Sequence, residues 1–378
     1  MQTAENANAG QAGGYILRDP AEDSLGLPSG YGEFDIPLIL TSKFYNQDGS
    51  LTSPAGEVDS YFGDVIHVNG QPWPFLKVQP RKYRFRVLNA AVSRSFILYL
   101  RRQSGSSSDI PFQVIGSDAG LLTKPVTTST LAVSMAERWE IVVDFSSLAG
   151  QNITLRNQED VGQDDDYKET VNVMRFVVDK KAVTDNSRVP STLRDVPFPT
   201  PSSNKVDRRF EFGRSGGQWR INGVVFSDVN NRVLAKVPRG TVEVWELVNG
   251  GGGWTHPIHV HLVDFRVLSR SNGKRGVLPY EAAGLQDVVW LDAGETVRVQ
   301  AHFTQNGLYM FHCHNLIHED HEMMAAFNVT QIKELGYDSF ADPMAKDWRA
   351  VKANAADYTS SAITAKVQKL AAQEPYKE

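Results

Sequence analysis

Short apolar or alternating runs recur along the chain between turn-forming residues. In the first half they fall at Ile36–Thr41, Tyr83–Leu88, Phe96–Leu100, Phe112–Ile115, Trp139–Phe145 and Val173–Val178. A second series follows at Phe210–Phe212, Val242–Val248, Phe265–Ser269, Val288–Leu291, Thr296–Ala301, Gly307–Phe311 and Ala326–Val329. The runs are rich in Val, Ile, Phe and Tyr, whose branched or aromatic side chains suit a pleated surface, and Gly, Asn, Asp and Ser bound them. This pattern predicts an all-β fold of sandwiches or barrels.

The two series look like two copies of one unit. Arg84-Phe85-Arg86-Val87-Leu88-Asn89-Ala90 matches Val244-Trp245-Glu246-Leu247-Val248-Asn249-Gly250, each a strand ending in Asn and a small residue. Ser93-Arg94-Ser95-Phe96 then falls against His256-Pro257-Ile258-His259, so only the second copy carries histidines there. Between the copies, Lys180–Arg208 is rich in Pro, Ser, Thr and Asp and reads as a linker. The expected organisation is a domain at 23–180 without metal ligands, a linker at 181–208, a domain at 209–335 that carries the chemistry, and a surface tail at 336–378. Within that tail, Ala362–Gln373, with Ile363, Val367 and Leu370, fits a short amphipathic helix.

Composition narrows the function. The 378 residues suffice for two ordinary domains, and 41% hydrophobic with 22% charged residues is the balance of a globular chain. A net charge of -5 without a basic run argues against nucleic-acid and membrane-surface partners. No apolar run approaches the ~18 residues of a membrane span. The start, Met1-Gln2-Thr3-Ala4-Glu5-Asn6, has neither the basic segment nor the apolar core of a signal peptide. The single cysteine, Cys313, excludes an intramolecular disulfide.

Seven of the nine histidines lie in two short segments, one at His256, His259 and His261, the other at His312, His314, His318 and His321. A lone histidine in a strand is ordinarily a core or surface residue. Chance clustering of seven around the only cysteine is a far weaker account. On a strand, successive side chains point to opposite faces, so His312 and His314 share one face while Cys313 takes the other. One tripeptide can thus serve two metal sites back to back. His259 and His261 likewise project together, and two adjacent His-x-His pairs suit a multinuclear site.

On the Cys313 side the available donors are His256, His318 and Met323. Two imidazoles, a thiolate and a weak thioether are the donor set of an electron-transfer copper. Zinc would demand four strong ligands or an open water position, and a thioether serves it poorly. His67, His302 and His321 read as structural or surface residues, and Asp287 as a candidate for orienting a metal-bound imidazole.

His256-Pro257-x-His259-x-His261 with His312-Cys313-His314-x3-His318-x4-Met323 resembles the C-terminal copper signature of the multicopper oxidases. Gly32-Glu33-Phe34-Asp35-Ile36-Pro37, Val68-Asn69-Gly70-Gln71-Pro72-Trp73-Pro74, Met135-Ala136-Glu137-Arg138 and His314-Asn315-Leu316-Ile317-His318-Glu319-Asp320-His321 are most similar to the fungal bilirubin oxidases within that family. The resemblance covers nearly the whole chain. It implies tandem cupredoxin-like Greek-key sandwiches and four-electron reduction of dioxygen to water. It also implies type 1 copper at His256, Cys313 and His318 with axial Met323, a type 2 ligand in His259, and type 3 ligands in His261, His312 and His314. Trp254 would line the edge where reducing substrate docks, and Glu319 would deliver protons to oxygen.

The same resemblance implies that half of the trinuclear ligands are missing, because the family draws them from two further His-x-His motifs in a first domain and no other His-x-His occurs here. Residues 1–22, notably Gly13-Gly14-Tyr15-Ile16-Leu17-Arg18-Asp19-Pro20, resemble the last strand of that domain. The expectation is a fragment with a complete type 1 site and half a trinuclear site. Alternatives are a natural short form that carries only type 1 copper, a non-enzymatic electron-transfer protein or inactive paralogue, two chains that join their half-clusters, and, more distantly, a zinc hydrolase. The expected partners are a small organic reductant (bilirubin, another tetrapyrrole or a phenol) and dioxygen, acting on a secreted monomer.

Overall fold

The computed structural model describes residues 2–105, 108–161, 165–199, 205–251, 253–330 and 355–371. Residues 35–178 build two sheets. One has seven strands in the order Gln71–Pro72, Val65–Val68, Asp35–Lys43, Lys82–Asn89, Arg138–Asp144, Phe112–Ser117 and Gly120–Thr128. The other runs Thr130–Val133, Phe96–Arg102, Asn152–Asn157, Asn172–Val178 and Phe75–Val78, with Asp109–Ile110 paired beside Phe96–Arg102. Leu40, Phe85, Val114 and Trp139 from the first meet Leu98, Leu100, Ile153 and Phe176 from the second in one buried core.

Residues 208–330 repeat the arrangement. Gln218–Ile221, Arg208–Ser215, Val242–Asn249, Thr296–His302 and Phe265–Ser271 form one sheet. Val233–Pro238, Met324–Thr330, Gly307–Cys313, His256–Val260 and Val288–Leu291 form the other. Their facing sides share a core that includes Phe212, Trp245, Val299, Ile258, Phe311, Cys313 and Met323. The all-β expectation holds, as do two sandwiches in tandem. Every strand expected from the apolar runs is present, most of them longer by a residue or two at an end.

The repeat extends to single hydrogen bonds. Asn89 is fully buried, and its amide group donates to the carbonyls of Arg94 and Val133 and accepts from the Ala91 backbone. Asn249 donates to Trp254 and Asp292 and accepts from Gly251. A buried amide must be paired in this way or its desolvation goes uncompensated. The frame corrects the alignment of the two copies. Phe96 pairs with Val133 as His256 pairs with Leu291, so Phe96, not Ser93, stands where His256 stands. By the same register Asn157 occupies the place of Cys313, and Tyr99, Arg101 and Arg156 those of His259, His261 and His312.

No strand forms at Gly13–Pro20. Thr3–Asn8 and Pro20–Asp23 are short helices and the residues between them are irregular, with Tyr15 and Leu17 exposed. Gly13–Asp19 instead borders a cavity with Pro37, Ile39 and Val87, and an extended segment that forms no ladder gains no backbone pairing. Between the sandwiches, the described residues of 180–207 contain neither helix nor strand. That segment is nonetheless tied down: Asp185 accepts from Arg81 and the Lys82 backbone, and Arg194 donates to the carbonyls of Ala119 and Leu121. A separate unit at the C-terminal end holds the helix Ser360–Ala371, on which Ile363 and Val367 are exposed. Gln373, the expected helix end, lies outside the described residues. Among the described residues no helix is long and apolar enough to cross a membrane.

Candidate metal centre

Two strands and one helix of the second half bring the histidines together. His256–Val260 lies beside Gly307–Cys313 in antiparallel register, with Ile258 opposite Cys313 and His259 opposite His312. The chain then turns into the helix Leu316–Asp320, whose start is capped by the Asn315 side chain accepting from the Ile317 backbone. This turn swings His318 back beside Cys313. Pairing alternates across the strand, so Cys313 enters the sandwich core while His312 takes the opposite face.

In the core, His256 Nδ1 and His318 Nδ1 are 3.2 Å apart, and Cys313 Sγ lies 3.5 and 3.6 Å from them. All three side chains are fully buried. At usual metal–imidazole and metal–thiolate lengths of about 2.0 and 2.3 Å, three donors around one ion are separated by roughly 3.5 Å between nitrogens and 3.7 Å between nitrogen and sulfur. The triangle therefore fits a single ion. Met323, equally buried, is held at its rim: its carbonyl accepts from the Cys313 backbone and its N–H donates to His318.

The surroundings prepare these donors. His318 Nε2–H donates to the Asp59 carbonyl at 2.7 Å, which leaves Nδ1 with its lone pair toward the triangle. Burial lowers the His256 imidazole to about 3 and holds His318 well below its ordinary range, so both are neutral. Burial raises the Cys313 thiol well above its ordinary range. A bound cation must therefore displace the thiol proton.

The second group lies on the other face of the same strand. His261 Nε2 and His312 Nε2 face each other at 3.3 Å, and His259 joins them, its ring 4.8 Å from that of His261 and 5.5 Å from that of His312. His259 Nδ1–H donates to the Asp287 carbonyl at 2.8 Å, so the backbone of Asp287, not its carboxylate, orients the ring. The Asp287 carboxylate is held by a bidentate bond from Arg138. His312 Nδ1 lies 3.1 Å from the Cys313 carbonyl and 3.3 Å from Glu319 Oε2. Glu319 is buried, not a solvated loop carboxylate. His314 has its ring 5.4 Å from His312, its Nδ1 is buried without a partner, and the residue borders a cavity of about 420 Å³ shared with Thr3, Asn6 and Ala136. Burial, reinforced by neighbouring imidazoles, lowers His261 to about 4 and His314 to about 3.

Trp254 is half-buried two residues before His256, its ring edge-on to Trp219 at 5.1 Å. Trp219 itself escaped the sequence reading. It is buried against His318, with ring centroids 3.7 Å apart, and nothing in the Gly-rich stretch Ser215-Gly216-Gly217-Gln218 signals that contact. His67, His302 and His321 stand outside both groups. His67 contacts the Tyr45 hydroxyl at 3.1 Å and His321 Nδ1–H donates to Ile317.

Residues 196–333 match the sequence profile of the multicopper oxidases. The chain is 57% identical to bilirubin oxidase from Albifimbria verrucaria, across 99% of its own length and 68% of that protein's. It is 36% identical to a laccase from Bacillus subtilis, across 87% of its length and 68% of the laccase. Among solved structures it is similar to the McoA multicopper oxidase of the hyperthermophile Aquifex aeolicus, with a TM-score of 0.74 and 32% identity over 82% of this chain and 70% of that one. The chain thus spans about two thirds of the length of each.

Proposed function

The chain belongs to the multicopper oxidase family, and on that premise we propose that it holds a type 1 copper between His256, Cys313 and His318, with Met323 as the weak axial donor. The triangle of Nδ1, Nδ1 and Sγ at 3.2–3.6 Å, closed to solvent, carries this reading. Copper bound there supplies one-electron redox chemistry.

The chain's own residues do the rest. Burial excludes water from the donors, and the Asp59 carbonyl sets the tautomer of His318. Trp254, half-buried at the outer edge, offers the face on which an organic electron donor docks. The donor class is bilirubin, another tetrapyrrole or a phenol. Cys313 and His312 are neighbours in the chain, so one peptide bond links the two groups of donors. His259 serves as a type 2 ligand, and His261, His312 and His314 as type 3 ligands, of a cluster of which this sequence carries half. Glu319, 3.3 Å from His312, is placed to hold a proton beside that cluster. Dioxygen is the acceptor where the cluster is completed. The secreted location expected of the family belongs to the same reading.

Copper stoichiometry, with visible and EPR spectra of the copper-reconstituted chain, tests the proposal. The expected result is about one tightly held copper per chain with an intense thiolate-to-copper absorption. A colourless protein, or one that retains no copper, overturns it.

A further inference from the structure

We propose that Trp219 is a positioning residue of this site, its indole anchored to the copper-free half so as to fix the ring plane of His318. The inference rests on the reading of His256, Cys313 and His318 as type 1 ligands.

Trp219 lies in the strand Gln218–Ile221, just after the turn at Gly216 and Gly217, whose φ values of 60° and 77° glycine adopts freely. The hairpin lays the indole nearly flat on the imidazole of His318, 3.7 Å between centroids and 27° between planes. The same indole stands edge-on to His256 at 5.7 Å. Arg214 and Trp254 close its outer side, at 5.0 and 5.1 Å.

Two consecutive carbonyls of the first half hold the stacked pair. Trp219 Nε1–H donates to Val58 at 2.8 Å, and His318 Nε2–H donates to Asp59 at 2.7 Å. The bond to Asp59 fixes where Nε2 points but leaves the imidazole free to roll about that bond. Contact with the indole face removes the roll. With both restraints, Nδ1 stays aimed into the triangle, 3.2 Å from His256 Nδ1 and 3.6 Å from Cys313 Sγ. Trp245 provides the contrast. It is as deeply buried, but stacks on Phe303 and donates to Glu243, without touching a proposed ligand.

The test compares Trp219→Phe, Trp219→Leu and the control Trp245→Phe, as metal-free crystals and after copper loading. Graded effects are expected. Trp219→Phe keeps a face but loses the anchor to Val58, so the His318 ring tilts slightly and the copper EPR splitting shifts little. Trp219→Leu loses the face, the ring rolls, the splitting shifts further, and copper affinity falls by roughly 10–100-fold. Trp245→Phe changes neither ring nor spectrum. An unchanged His318 ring and unchanged splitting in both Trp219 variants overturn the proposal. If Trp219→Leu does not fold, Trp219→Phe decides alone on the same criterion. If the unaltered chain takes up no copper, the type 1 reading falls, while the metal-free crystals still decide whether Trp219 positions His318.

Discussion

Phe96 and His256 occupy the same place in the two halves of the fold. Each lies seven residues after a buried asparagine, Asn89 or Asn249, and each pairs with the last residue of an edge strand, Val133 or Leu291. The second half is thus a sandwich in which an imidazole stands at what is an apolar core position in the first half, and a thiol at the position of the buried Asn157.

That substitution burdens the metal-free protein. His256 is fully buried and its Nε2 has no hydrogen-bond partner. An unmet buried polar atom costs about 1–3 kcal/mol. His256→Phe restores the residue type of the other half. It is expected to abolish type 1 copper while raising the stability of the metal-free chain by about 1 kcal/mol. Calorimetry of both metal-free proteins checks this, and a lower melting temperature for the variant sinks the idea.

Glu137 and Glu295 are a second equivalent pair with different fates. Glu295 meets Arg270 at 3.0 Å, whereas Glu137 accepts from the Ser134 backbone and, among the described residues, forms no ion pair. Burial pushes the Glu137 carboxyl up to about 7. A group raised in the folded state contributes stability below its unfolded value, near 4.5, and that contribution is lost as pH rises through about 7. Glu137→Gln stays neutral, so its stability relative to the unaltered chain grows across this window by up to about 3 kcal/mol. Urea midpoints at pH 5 and pH 8 measure the growth, and a constant gap would count against an uncharged Glu137.

The grouping of His256, Cys313 and His318 was legible because most of the candidate donors lie close together in the sequence. Cys313, His318 and Met323 fall within eleven residues, and strand alternation puts Cys313 and His312 on opposite faces. Strand legibility followed apolar content rather than length: the four-residue Val288–Leu291, apolar throughout, was read, whereas the nine-residue Gly120–Thr128, broken by Thr123, Lys124 and Pro125, was not. What stayed hidden is what the first half does for the second. Val58 and Asp59 act through carbonyls, which any residue possesses, and Trp219 meets His318 only after the chain has folded. The misaligned repeat was avoidable: counting from the two asparagines leads to Phe96.

Asp320 ties the helix Thr3–Asn8 to the second sandwich. Its carboxylate accepts from Thr3 N, Thr3 Oγ1 and Ala4 N, so it caps a helix more than 300 residues away, where Gln2 provides no side-chain cap. Leu316 and Ile317 pack on Ala4 and Ala7 beneath it. Removing such a cap costs roughly 0.5–2 kcal/mol. Asp320→Ala should release Thr3–Asn8, and amide exchange at Ala7 and Asn8 should accelerate while the strands keep their protection. Unaltered exchange there would mean that apolar packing alone holds the helix.

The loop that carries Val58 and Asp59 ends at Gly63, where side-chain space runs out. Gly63 has a φ of +70°, and a Cβ there would fall 2.4 Å from Lys43 N and 2.5 Å from the Ser42 carbonyl carbon, both backbone atoms that cannot swing aside. Gly49 has a similar φ of +83° but nothing within 4 Å of a Cβ. The pair therefore separates conformational strain from collision. Gly49→Ala should cost about 1–2 kcal/mol from the left-handed backbone alone. Gly63→Ala adds the cost of displacing packed backbone, of the order of a further 1–3 kcal/mol. The second effect reaches the metal site, because moving the loop shifts the carbonyls that hold Trp219 and His318. Denaturation midpoints and copper titrations on both variants decide it. Gly63→Ala should lose stability and copper affinity together, and Gly49→Ala only a little stability. If Gly63→Ala weakens the fold but binds copper as tightly as before, the Val58–Gly63 loop does not govern the site.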